Sequence, residues 1–446
     1  MIYRRNFLTA AAGVLTASYG STGRPPNIVF ILGDDLGYGD LGCYGQEKIL
    51  TPNLDRLAGE GLRFTQCYAG GPVCAPSRSV LMSGLHGGHA PIRANAGTQP
   101  LSAEDTTVAE VLKKSGYTTA GFGKWGLGDA RSSGIPGRHG FDEFFGYLHQ
   151  VHAHSYYPDF LWDNTERYEM PKGAYSADVI FERSLEFVRK NRAKPFFLYQ
   201  CGTLPHARFE PPDTKPYQDR PWTQGQKAYA SMVTRLDAQV GRLRALLREL
   251  SLDADTLLFF TSDNGAHSGE DKGFEFFRSN GTLRGEKGQL FEGGLRVPMI
   301  ACWKGHIRAG TNNDVPWSFC DVLPTLAQAA GAKIPEGLDG LSMMSALLGG
   351  KLPQRRFLYW ENNAWIAKTK QLDETRLGQA VRLGDWKAIR KQPGTQLELY
   401  HLARDPGETT DVASAHPEVI GQIEGYLRTA RSTPRPHNLG DMQYLR

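Results

Sequence analysis

Short, fully apolar runs alternate along the chain with longer stretches in which apolar residues recur every three or four positions. The runs "NIVFIL" (27–32), "PFFLYQC" (195–201) and "DTLLFFTSDNG" (255–265) read as buried strands, and "TTAGFGKW" (118–125) leads from a strand into a loop. Between them, "TPNLDRLAGEGL" (51–62), with Thr51 as N-cap and Pro52 at the first helical position, reads as a helix. So do "TTVAEVLKKSGY" (106–117) and "SADVIFERSLEFVRKN" (176–191). The longest helix is expected from about Gln226 to Leu250, where Tyr229, Met232, Val233, Leu236, Val240, Leu243 and Leu247 share one face. Strands alternating with amphipathic helices predict an α/β fold, a large sheet sandwiched between helices.

Past Gly350 the pattern changes. "RFLYWE" (356–361), "AVRLGDWKAIR" (380–390) and "LELYHL" (397–402) are short strands separated by turn residues, and "PEVIGQIEGYLRTARS" (417–432) is a closing helix. The expected organisation is a large unit over residues 25–350, the linker "LLGGKLPQRR", and a small C-terminal unit over 351–446, an antiparallel sheet with a helix.

Residues 1–24 differ from both. Arg4 and Arg5 precede an apolar run from Phe7 to about Ala17 and a tail of small residues, the layout of a twin-arginine-like export signal. The run is too short to span a bilayer comfortably, and no other stretch is long and apolar enough, so an exported protein without a stable membrane anchor, periplasmic or secreted, is expected.

Charge changes the picture little. Lys and Arg number 51 against 47 Asp and Glu, a formal charge of +4 spread evenly, which gives no reason to expect a nucleic-acid partner. The six cysteines, at 43, 67, 74, 201, 302 and 320, form no CxxC pair, which argues against a disulfide scaffold or a thiolate zinc site.

The candidate chemistry lies where strands end, the place at which open α/β sheets gather ligands. "FILGDDLGYGD" puts Asp34 and Asp35 at the end of one apolar run, and "FFTSDNGAHSG" puts Asp263 and Asn264 at the end of another. Adjacent carboxylates repel unless a cation lies beside them. An all-oxygen set of three Asp and one Asn suits Ca²⁺, with Mg²⁺ as the second option. Polar residues in Gly- or Pro-marked loops supply the opposite charge: Arg78 in "GGPVCAPSRSV", Lys124 in "GKWGLG", His206 in "TLPHA" and Lys287 in "GEKGQLFEGGLRVP". Arg78, Lys124, Lys287 and a divalent cation would form a positive pocket for a tetrahedral oxyanion such as a sulfate or phosphate group.

The CxPSR run at 74–78, followed by "SVLMSGLHGGH", resembles the signature of type I sulfatases in the alkaline phosphatase superfamily, and the other motifs fall in that family's order. The resemblance implies an alkaline phosphatase-like fold and sulfate ester hydrolysis. It implies that a maturation enzyme oxidises Cys74 to formylglycine, whose hydrate is the nucleophile. Asp34, Asp35, Asp263, Asn264 and the modified Cys74 would hold the cation, Arg78 would favour the ionised nucleophile, Lys124 and Lys287 would bind the sulfate oxygens, and His206, with Lys287 beside it, would be the proton donor. A sulfated glycan or a small sulfate ester is the expected partner, and a sulfated carbohydrate of galactose or N-acetylgalactosamine type the expected substrate. The aromatic and His-rich stretch at 139–164 reads either as a glycan pocket wall or as a packed crossover. In one respect the chain departs from the pattern: Gly126 stands where the family has a histidine, in a GKWH run, to take the last proton. His86, His89, His267 or a water are left as alternatives. Phosphonate or phosphodiester hydrolysis on the same nucleophile is a second reading, and a glycan-binding protein that has lost turnover is a third.

Overall fold

The computed structural model describes residues 24–95, 100–269, 271, 273–350, 357–366, 368–369 and 371–435. The export-signal reading of residues 1–24 lies, but for Arg24, outside the described residues, as does the linker stretch 351–356. No helix among the described residues is long and apolar enough to cross a membrane.

An 11-stranded mixed sheet organises the chain. Its strands are β1 (Asn27–Gly33), β2 (Leu62–Tyr68), β3 (Thr118–Lys124), β4 (Glu143–Tyr147), β5 (Phe160–Asp163), β6 (Glu166–Glu169), β7 (Phe196–Cys201), β8 (Thr256–Ser262), β9 (Arg296–Cys302), β10 (Thr311–Asn313) and β11 (Trp317–Ser318). They run in the order β10-β2-β9-β8-β1-β7-β3-β4-β5-β6, with β11 also on β2. The centre, β8-β1-β7-β3-β4, is wholly parallel, while β9 pairs antiparallel with β8. Every residue of β1, β7 and β8 is buried, which is why their sequences are continuous apolar runs rather than alternating ones.

Within β1, successive side chains serve opposite layers. Ile28, Phe30 and Leu32 join one core cluster, and Val29 and Ile31 join the other. Helices α1 (Pro52–Glu60), α4 (Ser176–Asn191) and α5 (Gln224–Glu249) cover the second layer, and α2 (Cys74–Ser83) and α3 (Val108–Lys114) the first. Burying each large aliphatic or aromatic side chain in these layers contributes about 1.5–3 kcal/mol. Helix α3 starts at a capping box of Thr107 and Glu110, and α5 at one of Thr223 and Gln226.

A second, antiparallel sheet follows: β12 (Leu358–Ile366), β13 (Gln371–Leu383), β14 (Trp386–Arg390) and β15 (Glu398–His401), with a helix at Pro417–Leu427. It packs tightly on the first sheet. The Trp360 ring lies 5.1 Å from that of Tyr68, its Nε1 donates to Ala69 O (2.8 Å), and buried Lys387 reaches Glu292 (2.9 Å) and Glu408 (3.0 Å). No disulfide joins any of the six cysteines.

Candidate active site

Four neighbouring parallel strands end on one side of the sheet. β1 delivers Asp34 and Asp35, β8 delivers Asp263 and Asn264, β3 ends on Lys124, and the loop after β7 carries His206. Asp35 has the left-handed φ of 63°, a conformation few non-glycine residues adopt, which turns the chain sharply just past the strand.

Cys74 and Arg78 come from α2. The Gly/Pro-rich stretch before them ends sooner than its composition suggests: Cys74 is already the first residue of the helix, and Arg78, four positions on, lies on the same face one turn away. Ser77 is structural, its Oγ accepting from Gly70 N (3.0 Å). Lys287 follows the turn after Asn280, its backbone N–H bonded to Ala266 O (2.9 Å) in the loop beyond Asn264.

All of these residues converge. Lys124 Nζ lies 2.8 Å from Asp34 Oδ2 and 3.3 Å from Cys74 Sγ, and Cys74 Sγ is 3.6 Å from Asp34 Oδ1. Arg78 donates to Asp263 Oδ2 from Nε (3.0 Å) and Nη2 (2.8 Å), and its Nη1 to the Lys124 carbonyl. Lys287 Nζ contacts Asp35 Oδ2 (2.7 Å) and His206 Nε2 (3.2 Å). His206 Nδ1 faces the Ala207 carbonyl, which assigns the hydrogen to that nitrogen and leaves Nε2 to accept from Lys287.

The charges shape one another. Burial alone would raise Asp34, but Lys124, His206, Arg78 and Lys287 hold it far below the usual carboxylate range. Against the same burial, Lys287 and His206 hold Asp35 at about 2. Burial and the charge of Asp34 push Asp263 up to about 6 despite Arg78 and Lys124. Burial likewise pushes the Cys74 thiol up to about 12, so an unmodified Cys74 is a neutral thiol and a poor nucleophile here.

The donor set fits a hard cation. One donor atom from each of Asp34, Asp35, Cys74 and His206 lies within 4.8 Å of the others. Asn264 Nδ2 donates to Asp35 Oδ1 (2.8 Å), and the buried Asn264 Oδ1 has no hydrogen-bond partner among the described residues. A buried carbonyl oxygen without a donor, beside two carboxylates, is the ligand chemistry of Ca²⁺ or Mg²⁺.

Two of the alternatives for the last proton lie elsewhere. His86 and His89 stack on each other (4.4 Å) and face Asp339, His89 Nδ1 at 3.0 Å, while His86 Nε2 meets Tyr426 of the C-terminal helix (3.3 Å). Their partners are Asp339 and the second sheet's helix rather than Cys74. His267 Nδ1 accepts from Gly269 N (3.1 Å). The motif reading missed His154, whose ring stacks on that of His206 with centroids 4.5 Å apart. Nothing in its spacing marks it; only the path of the chain between β4 and β5 brings it there.

The sulfatase family model matches residues 26–332, and a model of the C-terminal part of N-sulphoglucosamine sulphohydrolase matches 285–432. The chain is 33% identical to N-acetylgalactosamine-6-sulfatase of Canis lupus familiaris, covering 92% of this chain and 86% of the relative. It is 34% identical to human arylsulfatase A, covering 94% and 89%. Among solved structures, Ps i-CgsB in complex with k-i-k-neocarrahexaose superposes with a TM-score of 0.81 at 28% identity, covering 92% of this chain and 94% of that one. The chain therefore belongs to the sulfatase family: it is a sulfuric ester hydrolase with the alkaline phosphatase-like fold.

Proposed function

We propose that this protein hydrolyses sulfate esters of a sulfated carbohydrate, with formylglycine made from Cys74 as nucleophile and Ca²⁺, or Mg²⁺, held by Asp34, Asp35, Asp263 and Asn264. The observation that carries the reading is the position of Cys74 Sγ, 3.3 Å from Lys124 Nζ and 3.6 Å from Asp34 Oδ1, one helical turn before Arg78. The cation and the hydrated aldehyde at position 74 would together supply an ionised oxygen as nucleophile.

The chain's own residues do the rest. Lys124 and Lys287 bind the sulfate oxygens and offset charge as the S–O bond breaks. Arg78 orients Asp263 and keeps residue 74 in a positive field. A sugar alkoxide is a poor leaving group, so a proton donor contributes about 10²–10⁴ in rate. His206, with Lys287 beside it, is that donor: burial lowers its imidazole below the ordinary value against the charges of Asp35 and Asp34, so the resting ring is neutral, and Nε2 passes to the leaving oxygen the proton it takes from Lys287 Nζ, 3.2 Å away.

The carbohydrate reading is supported by a cavity of about 860 Å³ beside the 139–164 segment, where Phe160 and Trp162 stand with Arg131 and Arg167 and with the acidic Asp129 and Glu166. Aromatic faces pack on sugar rings, and cationic edges suit sulfate groups. The name of one relative, an N-acetylgalactosamine-6-sulfatase, and the neocarrahexaose in complex with Ps i-CgsB point the same way. Export to the periplasm or medium, for which Arg4, Arg5 and the apolar run after them speak, belongs to the same proposal.

The test uses protein with the aldehyde at position 74 verified by mass. Catalytic efficiencies are compared for an aryl sulfate and for the matching aryl phosphonate and phosphodiester, and sulfate release is followed from sulfated galactose and N-acetylgalactosamine oligosaccharides. Preference for the sulfates supports the reading, and preference for a phosphorus ester contradicts it.

A further inference from the structure

Gly126 adopts φ +75°, and a Cβ on it would stand 2.5 Å from Gln150 Nε2 and 2.9 Å from Gln150 Cδ. The space a side chain at 126 would enter is thus filled. Gln150 is only 5% exposed, and neither its Oε1 nor its Nε2 has a hydrogen-bond partner among the described residues. A buried amide in this state is costly, because neither its donor nor its acceptor regains the hydrogen bonds it gave up with water.

The segment that carries Gln150 also brings a histidine to the site. Gly126 N–H bonds to Leu148 O (3.1 Å), the chain passes Gln150, and the short turn His152–His154 sets the His154 ring on His206 with planes 20° apart. The stack is fixed from below. The buried Tyr156 hydroxyl, two residues on, lies 2.6 Å from Thr203 O and 2.8 Å from His206 O, so one side chain ties the His154 segment to the His206 loop.

Resting on the formylglycine reading above, we propose that His154 is the proton acceptor for the step that expels sulfate, in place of the side chain that Gly126 lacks. In that step the remaining hydroxyl on residue 74 gives its proton to the His154 imidazole. The O–H electron pair becomes the carbonyl π bond, and the C–O bond to sulfate breaks with its pair leaving on the sulfate oxygen. No oxidant or other reactant is needed. His154 is exposed, so the proton passes on to solvent.

The test compares the parent protein, His154→Ala and His154→Phe, each with the aldehyde at position 74 verified by mass before assay. His154→Phe keeps a ring on His206 and removes only the proton acceptor. On an aryl sulfate, both variants are expected to release one equivalent of phenol in a first burst and then to turn over about 10²–10⁴ more slowly than the parent. The peptide spanning Phe64–Arg78 should meanwhile retain a covalent sulfate, and added imidazole should restore turnover in His154→Ala. Turnover in His154→Phe of the same order as the parent overturns the proposal, and so does loss of the burst with no sulfated peptide. The parent arm reports separately on the reaction: verified aldehyde without sulfate release would remove the reading on which His154 depends.

Discussion

Arg78 and Asp263 form a fully buried ion pair in which two guanidinium nitrogens, Nε at 3.0 Å and Nη2 at 2.8 Å, converge on one carboxylate oxygen. The other oxygen of Asp263 accepts from Asp35 N (3.2 Å), so the pair also fixes the turn that presents Asp35. Removing one partner of such a pair leaves a charge buried without compensation. Arg78→Ala is expected to destabilise the fold by about 3–5 kcal/mol. Arg78→Lys, which keeps the charge but not the planar fork, should lose less. Urea unfolding of protein whose Cys74 is unconverted checks this without reference to turnover.

Asn264 gives a second prediction. Its unpartnered Oδ1 is the one donor of the proposed cation set whose replacement removes no charge. Calcium at a hundred times its Kd should stabilise the parent by about 2.7 kcal/mol, and a chelator should reverse that. In Asn264→Leu the calcium-dependent rise in Tm should be largely lost. An equal rise in the two proteins would remove Asn264 from the set.

Much of this arrangement was legible in the sequence because its parts are local. Apolar runs buried on both faces announced β1, β7 and β8, and the polar residues that end them sit at the strand ends for the same reason. The predicted helix at 226–250 is observed as Gln224–Glu249, moved to the capping box at Thr223. What was not legible depends on the chain's path. The half-buried β2 mixes polar and apolar residues, and nothing local distinguished the Cys74 helix from the turn before it. The aromatic stretch 139–164 proved to contain β4, a short turn and β5, so it is in part a packed crossover. His154 and Gln150 acquire their meaning only where that crossover returns over Gly126 and His206.

Acid should weaken the fold through histidines held neutral. His152 lies against the rings of Tyr147 (4.9 Å) and Phe160 (4.6 Å), and burial, followed by His149 and Arg167, lowers it from 6.5 to about 4. Since the folded value lies below the unfolded one, the unfolded chain takes up its proton first as pH falls. Stability therefore declines between pH 6.5 and about 4, and this histidine adds no further loss below that. His152→Phe keeps the ring contacts and removes the titration, so its Tm should fall less than the parent's between pH 7 and 4.5. Parallel Tm profiles would contradict this account.

Lys387 joins the two sheets through a single buried charge. Its Nζ contacts Glu292 at 2.9 Å and Glu408 at 3.0 Å, and all three side chains are fully buried. Lys387→Met leaves two carboxylates facing each other without a cation and is expected to cost about 3–5 kcal/mol. Lys387→Met/Glu408→Gln should recover part of the loss, measured by thermal unfolding.

The central claim is that residue 74 works as an aldehyde. It is tested most directly by the mass of the tryptic peptide Phe64–Arg78, from protein produced in its own host or beside a maturation enzyme and alkylated after denaturation. The account predicts one alkylated thiol, at Cys67, and an aldehyde mass at position 74. Two alkylated thiols, with Cys74 intact under those conditions, would contradict it.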